Sequence, residues 1–313
     1  MNPVFIIGCQ RSGTTFLGSI MGAHEQCLCT PESQFIIEPI KKEFISDNRY
    51  EAINAINDIL NNWRFKIWNL DIKSSDLVPF KNYEKSYINF IEWIVMKYGN
   101  KIGKNNFKLW IDHTPGNVNY VDYLKKIYPK AKFIHIIRDG RAVASSVKKL
   151  DWGISSPIRL ARFWITRIAH GMTAETILPT KKILRVKYED LLINPEQQIK
   201  IICSFLNIDF QHKMIIADGF QVPSFTYDQH LLVGKKPQTD RINAWQKDLK
   251  QREIEIFEFF AGRLLAYFNY KPIYDLCAKP PTFFEDKYIK INDFVKRKRD
   301  KRRVLRRINK YTK

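Results

Sequence analysis

Cysteines are few, and their arrangement argues against both a disulfide framework and a zinc knuckle. The five cysteines of this 313-residue chain follow no repeated spacing, and an odd number argues against a disulfide framework. Cys27 and Cys29 stand closer together than zinc-knuckle ligands, and no His-x-x-x-His pair follows them. The sequence therefore predicts no metal site and a reducing compartment.

Long hydrophobic runs are also missing. No apolar run approaches the ~20 residues of a membrane-spanning helix, and the N-terminus lacks the basic and apolar regions of a cleavable signal. A strand-like run begins almost at Met1 instead. We therefore expect a cytoplasmic protein, although a piece cut from a longer anchored protein would have the same features.

Acidic residues are outnumbered by basic ones. The chain has 52 Lys and Arg against 32 Asp and Glu, a formal charge of +20. This charge predicts attraction to nucleotides, other polyanions or anionic membranes, without choosing among them. With 45% hydrophobic residues the composition is globular, and the length suits one large α/β domain or two small ones.

Short apolar runs alternate with helical patterns along the chain. Buried parallel strands are predicted at Pro3–Gly8, Lys108–Asp112, Lys132–Ile137 and Lys182–Lys187. Helices are predicted after the first strand through Met21 and at Gln34–Phe44, Glu84–Tyr98, Asn117–Tyr128, Pro157–Leu178, Pro195–Leu206 and Gln251–Phe268. This alternation predicts right-handed βαβ units and a parallel sheet covered on both faces.

A phosphate-loop pattern follows the first strand. Residues 8–15 read Gly-Cys-Gln-Arg-Ser-Gly-Thr-Thr, the frame of a Walker A loop, but Thr14 replaces its lysine. A kinase needs that lysine, together with magnesium, at the β- and γ-phosphates. Arg11 places a positive charge inside the loop instead, and arginine contacts phosphate and sulfate bidentately. The loop predicts a metal-free anion site, and the alternative is a capped turn with a surface arginine.

A second candidate anion site follows the third strand. There the sequence Arg138-Asp-Gly-Arg-Ala-Val-Ala-Ser-Ser146 opens a helix. Arg138 stands at the carboxyl end of the strand, where open α/β sheets bind ligands. Ser146 lies about two helical turns further along the same face. The two side chains can hold a second phosphate, and the alternative is an arginine paired with Asp139.

The two motifs in this order resemble those of the sulfotransferases that use 3′-phosphoadenosine 5′-phosphosulfate (PAPS). The first loop is similar to the family's 5′-phosphosulfate loop, and Arg138–Ser146 is similar to its 3′-phosphate motif. The resemblance continues through Val186–Leu192, Pro195 and the loop that ends at Trp245, so it touches most of residues 3–250. In motif style it is nearest to bacterial and tyrosylprotein-type sulfotransferases.

The resemblance implies a fold, a function and a site. The fold is α/β, P-loop-like and three-layered (αβα), with a central parallel sheet, helical insertions and a basic C-terminal extension; a sulfotransferase domain spans 1–286 and a tail spans 287–313. The implied enzyme moves a sulfuryl group from PAPS to an acceptor hydroxyl (carbohydrate, glycolipid, tyrosyl or small alcohol) and releases PAP, without metal. Donor binding is implied for Arg11, Ser12, Gly13, Thr14 and Thr15 at the 5′ end, Arg138 and Ser146 at the 3′ end, Tyr188 near the nucleotide, and Lys235 or Lys236 in a closing loop.

Catalysis requires a base for the acceptor proton and a cation at the leaving phosphate. The resemblance assigns the base to Glu32, whose alternative is a helix N-terminal glutamate, and we expect Arg11 to be the cation. His113 stands where many family members have lysine. A neutral imidazole could be the base and a protonated one could replace the lysine; an inert core histidine is the alternative.

The tail is strongly basic, with 13 Lys and Arg and 2 Asp between 287 and 313. Apolar residues fall at helical spacing in two groups, Tyr288, Ile291 and Val295, then Val304, Ile308 and Tyr311. The pattern predicts either a basic amphipathic helix on an anionic membrane or other polyanion, which would make the protein peripheral, or a solvated or disordered tail. No specific nucleic-acid contact is expected.

Two other functions compete with this prediction. A P-loop kinase is disfavoured by the missing lysine and by the second anion motif. A polyanion-binding protein that keeps an inactive nucleotide fold is disfavoured by Glu32 and Arg11. Residues 45–105 match no motif and are the expected acceptor-facing insertion.

Overall fold

Five strands form one parallel sheet in the described part of the computed structural model. They are β1 (Asn2–Gly8), β2 (Cys27–Thr30), β3 (Leu109–Asp112), β4 (Lys132–Ile137) and β5 (Ile183–Lys187). Their order is β2-β3-β1-β4-β5, with every neighbouring pair parallel. The structure describes residues 1–41, 49–81, 86–151, 153–230 and 233–311.

Helices connect the strands and cover both faces of the sheet. The α-helices are α1 (Thr14–Gly22), α2 (Gln34–Lys41), α3 (Arg49–Asn61), α4 (Trp63–Lys66), α5 (Ser86–Lys101), α6 (Val121–Ile127), α7 (Gly140–Lys148), α8 (Pro157–Ile177), α9 (Tyr188–Ile193), α10 (Pro195–Leu206), α11 (Trp245–Asp248), α12 (Gln251–Tyr267) and α13 (Phe283–Tyr311). Short 3₁₀ helices occupy Ser74–Lys81, Pro115–Tyr120, His212–Ile216, Ser224–Gln229, Thr239–Arg241 and Asp275–Cys277.

Alternation along β1 divides the core between the two faces of the sheet. Val4 and Ile6 pack with residues of α1, α9 and α10, whereas Phe5 and Ile7 pack with residues of α2, α3 and α5. Both sets are almost fully buried, which explains why the strand is a continuous apolar run. A third cluster joins α7, α8 and α12 around Trp164.

The register brings three strand ends to one edge of the sheet. Phe5 pairs with Asp112 at the end of β3 and with Phe133 on β4, and Gly8 pairs with Ile136. The phosphate loop, His113 and Arg138 each follow one of these ends. Parallel strands therefore place both predicted anion motifs together.

The predicted fold class is confirmed, and the four predicted strands agree with the structure within a residue or so. Sequence patterning missed β2, which has only four residues. The predicted helix Asn117–Tyr128 is instead a 3₁₀ turn, Pro115–Tyr120, followed by α6. Residues 42–44 of the predicted helix Gln34–Phe44 lie outside the described residues.

The basic tail forms a continuous helix that packs on the domain. Asp293 pairs with Arg159 of α8, and Lys296 Nζ donates to the Lys148 carbonyl at 3.0 Å. Val304 and Ile308 are half-buried, whereas the first apolar group of the tail is exposed. The two groups predicted from the sequence therefore lie on different faces. The boundary at 286/287 stays a prediction, and α13 begins before it.

None of the described helices combines the length and the apolarity that crossing a bilayer requires. In the same residues, no group of three or more His, Cys, Asp or Glu side chains is arranged to hold a metal ion. The absence of a metal from the reaction stays a prediction.

Candidate active site

A cavity of about 680 Å³ opens where the phosphate loop and the N-terminus of α7 meet. Its volume lies within the range of about 300–1,000 Å³ usual for small-molecule sites. Five basic side chains contribute to its wall: Arg11, Arg64, Arg138, Lys149 and Arg241. The cavity is therefore suited to an anionic ligand.

The phosphate loop is built on two left-handed residues. Arg11 has φ 72° and Gly13 has φ 98°, and the Ser12 amide closes the turn on the Cys9 carbonyl at 3.1 Å. A β carbon on Gly13 would lie 2.4 Å from the Tyr188 ring, so the position requires glycine. The loop places the first helical turn of α1 at the cavity wall. The unpaired N–H groups of that helical turn favour an anion.

The Arg11 side chain is fixed by two contacts from distant parts of the chain. Its Nε donates to Ser146 Oγ at 3.0 Å and its Nη2 to the Gln229 carbonyl at 2.6 Å. Burial, reinforced by the charge of Arg138, lowers the pKa of Arg11 to about 10. The guanidinium therefore stays positive at neutral pH and faces the cavity as a held cation.

Arg138 is not paired with its neighbour Asp139. Asp139 caps α7 and pairs with Arg141, which removes that alternative. Arg138 Nη1 instead donates to the Arg11 carbonyl at 2.9 Å, and its guanidinium lies 4.4 Å from the centre of the Tyr188 ring. Its Nε is buried and has no hydrogen-bond partner among the described residues. An anion in the cavity would supply the missing acceptor.

The two predicted anion motifs are contiguous. Ser146 bonds Arg11, not Arg138, and Ser146, Arg138 and Tyr188 line the same cavity. Of the other residues predicted to bind the donor, Thr14 and Thr15 line the cavity.

Three predicted donor residues lie away from the wall. Ser12 is fully buried behind the loop, and its Oγ has no hydrogen-bond partner in the described residues. Lys235 and Lys236 are exposed and outside the lining of the cavity, so the structure does not bring them to this site. Arg241 and Trp245, which follow in the chain, do line it.

Glu32 is positioned by a hydrogen-bond network that ties its loop to the end of β3. The Ser33 amide donates to Thr114 Oγ1 at 2.7 Å, and the Ser33 hydroxyl donates to Asp112. The Thr114 amide donates to Asp112 Oδ1 at 2.9 Å, and Trp68 Nε1 donates to the Glu32 carbonyl at 3.3 Å. Because Asp112 is fully buried, this network fixes the backbone of Glu32 beside the cavity.

The Glu32 carboxyl has the properties of a general base. It lines the cavity and accepts a hydrogen bond from Gln34 Nε2. Burial raises the pKa of the carboxyl, and the charge of Arg64 with the Gln34 hydrogen bond offsets only part of that rise. A raised pKa makes the carboxylate a stronger base, and its place on the wall of the cavity suits it to accept a proton from a bound acceptor.

His113 lies behind this wall. With Glu32 and Thr15 it lines a small side pocket of about 50 Å³, and its ring packs against Phe220 with centroids 4.8 Å apart. Burial lowers the pKa of His113 to about 4. Burial therefore favours the neutral form of the imidazole.

Sequence reasoning missed one face of the cavity. Trp63 and Arg64 of α4 line it, with the Arg64 guanidinium 4.5 Å from the centre of the Trp63 ring and Phe225 4.9 Å from that ring. His230 also lines it, and burial, with Arg11 and His113, lowers the pKa of His230 to about 3. Trp63 and Arg64 belong to no recognised motif, and their only signal was the unexplained insertion at residues 45–105; Phe225 and His230 lie in the later connecting segment.

The fold and the site define a P-loop-like α/β protein in which basic side chains surround the N-terminus of α1 in one cleft. The chain belongs to the sulfotransferase family: the family profile, described as Sulfotransferase family, matches residues 3–212. The resemblance seen in the motifs is thereby confirmed.

Two curated relatives and one solved structure show how far the likeness extends. Protein-tyrosine sulfotransferase A of Caenorhabditis elegans is 25% identical over 68% of this chain and 51% of its own length. Protein-tyrosine sulfotransferase 1 of Danio rerio is 25% identical over 69% and 56%. The chain thus spans about half the length of these relatives. The sulfotransferase domain of the Synechococcus PCC 7002 olefin synthase covers 86% of this chain and 95% of its own, with a TM-score of 0.59 and 19% identity, which shows a shared fold.

Proposed function

We propose that this protein transfers a sulfuryl group from PAPS to an acceptor hydroxyl and releases PAP. One observation carries the proposal: Arg11, Arg138 and the first turn of α1 converge on a single cavity that has Glu32 on its wall. In a member of the sulfotransferase family, this arrangement supplies both a place for the donor and a base.

The cavity fits a nucleotide that carries anionic groups at two places. Arg11 with the N-terminus of α1 suits the 5′-phosphosulfate, and Arg138, with its unsatisfied Nε, suits the 3′-phosphate. Ser146 contributes by holding Arg11. Tyr188 sets the position of Arg138 by packing beneath its guanidinium.

The proposed reaction is an in-line displacement at sulfur. The acceptor oxygen forms a bond to sulfur while the bond from sulfur to the 5′-phosphate oxygen breaks. Glu32 takes the acceptor proton. The negative charge that develops on the leaving phosphate oxygen is stabilised by Arg11 and by the N–H groups of α1. His113, neutral and behind Glu32, is the second candidate for the base.

The acceptor is a hydroxyl compound that enters past Trp63, Arg64 and Phe225. The names of the relatives favour a protein tyrosine among the acceptors considered, and the aromatic pair Trp63–Phe225 suits a phenol ring. A cytoplasmic location is proposed as well, since the five cysteines are free thiols.

Thermal unfolding with nucleotides tests the donor assignment. A ligand that binds only the folded state raises the melting temperature, so PAP without magnesium should raise it more than ATP with magnesium. A larger rise with ATP and magnesium would move the assignment to a P-loop kinase.

The variant Arg138→Ala sharpens this experiment. It removes a charge-assisted contact worth about 1.5–3 kcal/mol, or roughly ten- to a hundredfold in affinity. By calorimetry, PAP should lose that affinity while adenosine 5′-phosphosulfate, which lacks the 3′-phosphate, should lose little. An equal loss for both nucleotides would contradict the 3′-phosphate assignment. A screen of tyrosyl peptides, sugars and alcohols with labelled PAPS then identifies the acceptor.

A further inference from the structure

Helix α13 holds its acidic side chains against the domain. Asp293 is 2% exposed and Asp300 is 5% exposed, and Glu285 and Asp286 are half-buried. Asp293 pairs with Arg159 of α8. This face of the helix is therefore occupied by contacts within the protein.

The opposite face exposes a row of large apolar side chains. Phe284 is 81% exposed, Tyr288 68% and Ile291 63%. At 3.6 residues per turn, all the exposed apolar residues of α13 fall within about 140° of its circumference. The full set is Phe283, Phe284, Tyr288, Ile291, Phe294, Val295 and Leu305. Single exposed apolar residues are ordinary, but a contiguous row of this size marks an interaction surface.

Basic side chains share this face. Lys287, Lys298 and Lys301 are exposed among the apolar residues, and Arg302 and Arg306 continue the same side toward the C-terminus. The four acidic residues of Phe283–Tyr311 all fall on the other side, toward the domain. The outer face is thus apolar and positive.

We propose that the outer face of α13 docks on an anionic lipid bilayer. Apolar and aromatic side chains enter the boundary between headgroups and acyl chains, while the basic side chains bind anionic headgroups. The inner face keeps its contacts with the domain, so docking requires no unfolding. It would also hold the cavity beside the bilayer, because Val304 on the inner face lines that cavity.

Other occupants explain less of this surface. A nucleic acid or an acidic polysaccharide would use the basic residues but would leave the apolar row in water. A second copy of the chain would bring two positive faces together, in a molecule whose formal charge is already +20. A bilayer satisfies both the charge and the apolar surface.

The experiment measures sedimentation of the full chain with vesicles. We expect binding to vesicles of phosphatidylcholine with about one third phosphatidylglycerol, weak binding to phosphatidylcholine alone, and a decrease as salt rises. The double variant Ile291→Glu with Val295→Glu should bind anionic vesicles at least about tenfold more weakly. Its matched control, Ile193→Glu with Ile201→Glu, introduces the same two charges at exposed apolar residues of α9 and α10 and should bind like the wild type.

Melting temperature and PAP affinity, measured on both double variants, establish that they are folded. Neither pair touches the cavity, so both quantities should stay close to wild type. Equal vesicle binding by the two double variants would overturn the proposal. So would retention on heparin or RNA with no binding to anionic vesicles, or a dimer in solution that Ile291→Glu with Val295→Glu dissolves. None of these outcomes depends on sulfuryl transfer.

Discussion

At the residue scale, the mechanism rests most heavily on Glu32. The variant Glu32→Gln keeps the size of the side chain but removes the basic oxygen, so turnover should fall by about 10²–10⁴, the usual contribution of a positioned base. PAP affinity should be nearly unchanged, because the proposed phosphate contacts come from other residues. The measurements are steady-state rates with a confirmed acceptor and calorimetry with PAP.

The pH dependence of the same variant gives an independent test. In the proposed mechanism the Glu32 carboxylate is the active form, and burial raises its pKa. The wild-type rate should therefore rise with pH up to that pKa and then level off, and Glu32→Gln should lose the rising limb. Glu25→Gln, at an exposed glutamate before β2 and outside the lining of the cavity, is the control. Near-normal turnover in Glu32→Gln together with an inactive His113→Ala would make histidine the base.

Sequence patterns predicted several of the cavity-lining residues, those in motifs that follow the strand ends. Arg11, Thr14 and Arg138 follow β1 or β4 directly, and their placement at the cavity follows from the parallel sheet. Lys235 and Trp63 show the limit. Both belong to long connecting segments whose path depends on tertiary packing. Lys235 therefore lies away from the cavity and Trp63 lies at its wall, and no local sequence pattern indicates either position.

At the scale of elements, the phosphate loop depends on the fit between Gly13 and Tyr188. Gly13→Ala adds a β carbon 2.4 Å from the Tyr188 ring at φ 98°, so the loop or the ring must shift. We expect PAP affinity to fall at least about tenfold, which corresponds to about 1.4 kcal/mol. Calorimetry measures the loss.

The chain offers a matched control for this substitution. Gly103 also has a positive φ, 76°, but no atom lies within 4 Å of its added β carbon. Gly103→Ala should therefore incur only the left-handed strain of about 1–2 kcal/mol and should bind PAP normally. Normal PAP binding by Gly13→Ala would show that the loop does not require the close approach to Tyr188.

Elements were predictable where local pattern and tertiary environment agree. β1 and β4 are buried on both faces, and both are mainly apolar in sequence: β1 is apolar from Pro3 to Ile7, and in β4 only Lys132 and His135 are polar. β2 has four residues, two of them cysteine, and it sits at the edge of the sheet beside β3 alone. Its strand conformation comes from that pairing, which no local sequence pattern predicts.

At the scale of the whole molecule, the C-terminal helix is linked to the phosphate loop through one intermediate segment. Helix α13 packs against the 3₁₀ helix Ser224–Gln229. The carbonyl of Gln229 accepts a hydrogen bond from Arg11 at 2.6 Å, and Val304 of α13 lines the cavity. The basic extension therefore takes part in building the site, although every nucleotide motif lies upstream of it.

Deleting residues 283–313 tests this linkage. Without α13, Arg159 loses Asp293 as a partner. The 3₁₀ helix Ser224–Gln229, whose Gln229 carbonyl accepts the hydrogen bond from Arg11, loses its contacts with α13. The melting temperature should fall, and PAP affinity should drop roughly two- to tenfold, the equivalent of one hydrogen bond of about 0.5–1.5 kcal/mol. The double variant Ile291→Glu with Val295→Glu changes only the outer face of the helix and should keep both quantities. If the shortened chain instead binds PAP as tightly and melts at the same temperature as the full chain, then the tail is an independent appendage and Arg11 is held by the domain alone.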